Sequence, residues 1–137
     1  MKPTSTRRGF FWQARAVALV AALGLFALIR PSAAAPYDDG VNAYRYGEYP
    51  TAMEILRPLA EQGDPVAQYY VAVMYQNGRG VEADLTAAID WYRKSAVGAW
   101  PIAQKVLGDF YYLGKGVTKD YAEAAKWYQL AAEQGQS

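Results

Sequence analysis

Neither histidine nor cysteine occurs anywhere in this sequence of 137 residues, and the two absences remove whole classes of chemistry. Without them there is no Ser-His or Cys-His nucleophile pair, no disulfide, and no zinc site except one built from carboxylates alone. No catalytic residue, metal site or cofactor is expected. A long apolar run is also missing: the apolar stretch at residues 16–29 is shorter than the roughly 20 residues of a bilayer-spanning helix. Positive charge is scarce beyond the N-terminal segment. Residues 1–34 hold five cations (Lys2, Arg7, Arg8, Arg15, Arg30) and no acid, which leaves nine cations against thirteen acids in the remainder, 9 − 13 = −4. Such a remainder is poorly suited to neutralising phosphates, so no nucleic-acid partner is expected.

What is present begins with the three parts of a bacterial signal peptide. A basic start ends near Arg15, the apolar run follows, and small residues come next at Ser32-Ala33-Ala34-Ala35. This order predicts export and cleavage after Ala34, with Ser32 and Ala34 at the small −3 and −1 positions. A cut after Ala35 would leave Pro36 just past the scissile bond. Thr6-Arg7-Arg8-Gly9-Phe10-Phe11 resembles the twin-arginine export motif, while two arginines serve equally as the basic start of a general secretory signal. Both routes place the chain in the periplasm or outside the cell, with no stable membrane insertion after cleavage.

The rest of the chain is organised by a repeat. Residues 63–98 shifted by 36 fall on residues 99–134: Ala67-Gln68 on Ala103-Gln104, Tyr75 on Tyr111, Gly78-x-Gly80-Val81 on Gly114-x-Gly116-Val117, Asp84 on Asp120, and Trp91-Tyr92 on Trp127-Tyr128. A period of this length marks a helical solenoid. Asp64-Pro65 starts a helix that stops at Gly78, and Asp84 starts the next, with Ala88, Trp91, Tyr92 and Ala96 on its packed face. Asp120-x-x-Glu123 reads as a full capping box. The Trp-Tyr pairs recur with the alanine spacing that packing needs, so they read as core and not as a ligand cage. Residues 37–62 form a shortened first pair. Ala43-Tyr44 stand for Met74-Tyr75, the Gly-Arg-Gly-Val loop is missing, and a helix covers 50–62.

The pattern from Ala67 to Ala96, with Gly-x-Gly-Val, Asp84, Ala88 and Trp-Tyr at fixed spacing and a second copy 36 residues on, resembles the Sel-one-like repeat (SLR) family, α/α relatives of the tetratricopeptide repeats. Ala72 stands where that family has Gly, which Gly108 restores, and Lys105 stands where it has Tyr. The resemblance covers residues 37–137. It implies an all-α fold, a short α/α solenoid of antiparallel helix pairs with about two and a half repeats, and an adaptor that binds a protein partner. In such solenoids the first helix of each pair lines the concave face. Steps of three, seven and ten residues along those helices give Val66, Tyr69, Val73 and Gln76, then Ile102, Lys105, Asp109 and Tyr112, with Asn42 and Arg45 continuing the stripe. The outer side of the last helix has no capping helix after it, which predicts self-association or partner docking there. Two other functions compete: a glycan- or peptide-binding accessory protein using the tyrosines, and a cell-wall hydrolase using carboxylates such as Asp109 and Glu54, for which no spacing marks a pair.

Overall fold

Three aspartates open three of the helices. In the computed structural model, which describes residues 34–135, Asp64 Oδ1 accepts from the N–H groups of Val66 (2.9 Å) and Ala67 (3.0 Å). Asp84 accepts from Ala87 and Asp120 from Glu123, both at 3.0 Å. The signal-peptide reading covers residues 1–34, all of which but Ala34 lie outside the described residues.

Six helices follow in order: α1 (Asp38–Arg45), α2 (Tyr49–Glu61), α3 (Pro65–Asn77), α4 (Leu85–Val97), α5 (Pro101–Leu113) and α6 (Tyr121–Gln134). Among the described residues there is no strand. The pairs α1/α2, α3/α4 and α5/α6 stack one on the next, each helix packing against its sequence neighbours, to give an α/α solenoid.

Two cores result. The first joins α1 and α2 to Ala67, Val71 and Met74 of α3, and the second joins α4 to Ala103, Leu107 and Phe110 of α5. The first helix of each pair thus completes the core of the pair before it. A glutamine fixes that docking twice. Gln68 Nε2 donates to the Ala60 carbonyl (3.0 Å) and Gln104 Nε2 to the Ala96 carbonyl (3.1 Å), both buried. These carbonyls lie at helix C-termini, where the i+4 helical donor is missing; each also accepts a turn N–H, Gly63 to Ala60 O at 3.1 Å and Ala99 to Ala96 O at 3.0 Å. Arg57 to the Tyr75 hydroxyl (2.9 Å) and Arg93 to the Tyr111 hydroxyl (3.4 Å) repeat across the same two junctions.

The structure corrects two details. The capping box at Asp120 is half a box: the Asp120 N–H donates to the Tyr111 carbonyl (2.9 Å). With no donor left for it there, the Glu123 carboxylate pairs with Lys126 and the Trp127 indole N–H, both at 3.1 Å. The second detail is the register of α1. The N–H of Glu48, the residue before α2, donates to Ala43 O (2.9 Å), just as Asp84 donates to Tyr75 O and Asp120 to Tyr111 O. Ala43, not Tyr44, therefore occupies the place of Tyr75. Close packing agrees, since a Cβ at Gly40 would sit 2.5 Å from Leu56 and one at Gly108 2.8 Å from the Tyr128 ring, the counterparts 72 residues apart on α2 and α6. The offset before the shortened turn is 32 residues, and after it 36.

Ala99 occupies the place of Gly63 and is the non-glycine residue with positive φ among the described residues (66°, against 100° at Gly63). A side chain in this left-handed region costs about 1–2 kcal/mol. Ala99→Gly is therefore expected to raise stability by about 1 kcal/mol, read as a higher urea midpoint at unchanged slope; a lower midpoint would count against the strain.

Candidate partner-binding face

The first helices α1, α3 and α5 carry the stripe expected to meet a partner, and the structure sorts its members by what they touch. Ile102 and Tyr112 are 49% and 52% exposed, Leu113 beside them is 64% exposed, and Lys105 is exposed. All four lie on one side of α5, with the half-buried Asp109 between Lys105 and Tyr112 and the Tyr112 ring 5.2 Å from that of Tyr121. The α3 members are more committed. Tyr69 and Val73 are half-buried and pack against the second core. Gln76 Oε1 accepts the Tyr92 hydroxyl (2.7 Å). Val66 is 8% exposed and belongs to the first core, so its side chain is not open to a partner. Asp109 Oδ1 accepts the Tyr128 hydroxyl at 2.5 Å.

On α1 the corrected register moves the stripe. Val41 aligns with Val73 and Asp109, and Tyr44 with Gln76 and Tyr112. Asn42 aligns with Met74 and Phe110, which are core residues, and Arg45 aligns with Asn77 and Leu113 at the edge of the face. Asn42 and Arg45 are both exposed.

A run of rings crosses this layer. Tyr49 meets Tyr44 at 5.4 Å, Tyr44 meets Tyr70 at 5.2 Å, Tyr70 meets Tyr69 at 5.3 Å, Tyr69 meets Tyr92 at 5.9 Å, and Tyr92 meets Phe110 at 5.7 Å between centroids. Tilted and edge-on pairs at such distances suit the aromatic quadrupole. Arg79, in the Gly-x-Gly turn, closes one end: its guanidinium lies 5.3 Å from the Tyr49 ring centroid and donates to the Tyr44 hydroxyl at 2.8 Å. Sequence reasoning passed over Arg79, Tyr70 and Leu113, since nothing in the repeat match separates a turn residue that folds back over rings from one that points to water.

Three phenols, those of Tyr128, Tyr92 and Tyr69, resist ionisation. Tyr128 is pushed up to about 12 by its hydrogen bond to the Asp109 carboxylate, which would repel a phenolate, with burial adding to it. Tyr92 is pushed up further by burial, and Tyr69 is raised by burial and by the neighbouring Tyr70. A group whose folded pKa lies above its unfolded value stabilises the fold below the unfolded pKa, here near 10, and that contribution is lost as pH rises through the folded pKa. Stability is therefore expected to fall between about pH 10 and pH 12. Tyr128→Phe should make the fall shallower and remove one late-titrating phenol from a near-ultraviolet absorbance titration. An unchanged slope in that variant would contradict the Asp109 coupling.

Glu54 is exposed on α2 and Asp109 lies on α5, with the α3/α4 pair between them, so the two carboxylates do not face one another. Among the described residues no three His, Cys, Asp or Glu side chains gather as a metal site, and no helix is long and apolar enough to cross a membrane.

Comparison with known proteins matches the geometry. The family profile described as Sel1 repeat matches residues 65–96 and 101–136. Among solved structures, the chain is similar to a Sel1 repeat protein from Oxalobacter formigenes at 38% identity and a TM-score of 0.66, over 70% of this chain and 40% of the other. It is also similar to a protective antigen present in uropathogenic Escherichia coli strains, described as displaying an SLR fold, at 43% identity and a TM-score of 0.62, over 68% of this chain and 21% of the other. The chain thus spans less than half the length of either. No curated protein matched it.

Proposed function

Since this chain belongs to the Sel1 repeat family, whose repeats are generally protein–protein interaction modules and typically non-catalytic scaffolds, we propose that it is an exported adaptor that holds a partner protein on its first-helix face. The export rests on the basic, apolar and small-residue order of residues 1–34. The observation that carries the binding reading is the open patch on α5. Ile102, Tyr112 and Leu113 are exposed on a helix whose other side is locked into the second core, and Lys105 stands among them. Exposed apolar side chains held on a rigid element provide contact area at little ordering cost. Tyrosine is enriched among the residues that dominate binding energy. Lys105 favours a partner with an acidic group beside an apolar side chain.

The test is capture of the partner from the host envelope by the tagged chain, with Lys105→Ala and Tyr112→Ala together as the variant. Lys105→Ala should move stability by no more than about 0.5 kcal/mol, and Tyr112→Ala should lower it by about 0.5–1.5 kcal/mol through the ring pair with Tyr121 at 5.2 Å. Loss of each interface anchor weakens binding by about 2 kcal/mol or more, so a partner held by the parent should be missing from the variant. A partner retained equally by both would move binding off this face.

A further inference from the structure

The two ends of the array differ in chemistry. At each internal junction the first helix of a pair inserts apolar residues three apart into the core before it: Val71 and Met74 from α3, Leu107 and Phe110 from α5, all at most 5% exposed. The glutamine three residues earlier fastens the junction to a helix-end carbonyl. In the corrected register, α1 has Asp39 and Asn42 at the two apolar places, both exposed, and Pro36 at the glutamine's place. A proline has no side-chain amide to donate, and burying an unpaired carboxylate against an apolar face costs far more than the contact returns. α1 is thus a polar end that cannot repeat the internal docking. α6 lacks this device. Ala125 and Ala132 stand exposed where Ile89 (4%) and Ala96 (1%) are covered by α5. The Ala132 carbonyl also occupies the place of the Ala60 and Ala96 carbonyls that receive the glutamines.

We propose that the outer face of α6 docks a helix of the first type from a partner chain, one with a glutamine followed at three and six residues by apolar side chains. The polar face of α1 keeps a second copy of this chain from being that partner. The argument is continuity with an interface built twice inside the chain, and it is independent of the first-helix face.

The test uses residues 35–137, which contain all six helices and both cores. A donor variant carries Pro36→Gln, Asp39→Val and Asn42→Met, which copy Gln68, Val71 and Met74 of α3, together with Ala132→Arg to close its own α6. The parent is the acceptor. Sedimentation should show each as a monomer alone and a one-to-one complex on mixing, and parent carrying Ala132→Arg should form none. A second donor, with Pro36→Gln, Asp39→Leu and Asn42→Phe copying Gln104, Leu107 and Phe110 of α5, guards against a poorly folded first one, and circular dichroism checks both. Two folded donors that leave the parent monomeric overturn the docking. Complexes indifferent to Ala132→Arg place the contact elsewhere and also overturn it. A parent that self-associates in an Ala132→Arg-sensitive way overturns the exclusion by α1.

Discussion

Tyr92→Ala is expected to lower the unfolding free energy by about 3–5 kcal/mol, the range for deleting a buried aromatic side chain. Tyr92 is 2% exposed and stands between the rings of Tyr69 and Phe110, so its loss opens a space walled by side chains from α3 and α5 that cannot move together. Its hydroxyl also holds Gln76 Oε1 at 2.7 Å. Tyr92→Phe keeps the ring and loses only that bond, for about 0.5–1.5 kcal/mol. Set against the 5–15 kcal/mol typical of a whole domain, the alanine variant gives up a large share and the phenylalanine variant little. Urea unfolding of the three proteins measures this directly. A Tyr92→Ala cost no greater than that of Tyr92→Phe would show that the ring run is not a packing element.

The second large effect comes from one turn. Gly80 has φ +71°, and a Cβ there would lie 2.8 Å from the Tyr49 carbonyl oxygen and 2.9 Å from its carbon. Gly80→Ala therefore meets two penalties: about 1–2 kcal/mol for an L side chain in the left-handed region, and about 1–3 kcal/mol for overpacking against backbone that cannot rotate away. Gly47 separates the two. Its φ is +80° with nothing within 4 Å of an added Cβ, so Gly47→Ala should show the first penalty alone. For a domain of this size each kcal/mol lowers the melting temperature by about 4–8 °C. Equal losses in the two variants would mean that the turn does not press on α2.

Much of this was legible in the residues. Asp64-Pro65, Gly78-x-Gly80-Val81 and Asp84 mark the bounds of α3 and the start of α4 because each carries a backbone chemistry that few other residues supply. The repeat of that set places α5 and α6 by copy. The first pair was harder, since its turn lacks four residues and the gap can be placed in more than one way. Tyr44 matches Tyr75 as a residue type, yet it is the backbone of Ala43 that makes the Tyr75 bond. A one-residue slip on a helix turns a side chain by about 100°, and that moved Asn42 onto the stripe. Exposure was hidden for another reason. Val66 and Ile102 are equivalent in the repeat and alike in chemistry, but one is buried in the first core and the other lies open. Only the packing around each decides that. Ala-Gln was visible as a matched pair, while the role of its amide needed the carbonyl it reaches.

The stacking of helices on their sequence neighbours governs how the chain finds its structure. Extensive packing joins each helix to the next, and α1 against α3 spans only one helix more. Every loop closed during folding is therefore short, the condition under which helical domains fold in microseconds to milliseconds. Opening follows the same path in reverse. With each pair held only by its neighbours, the array unzips from an end, one pair at a time, so amide protons of α3 and α4 exchange last and those of the outer helices first.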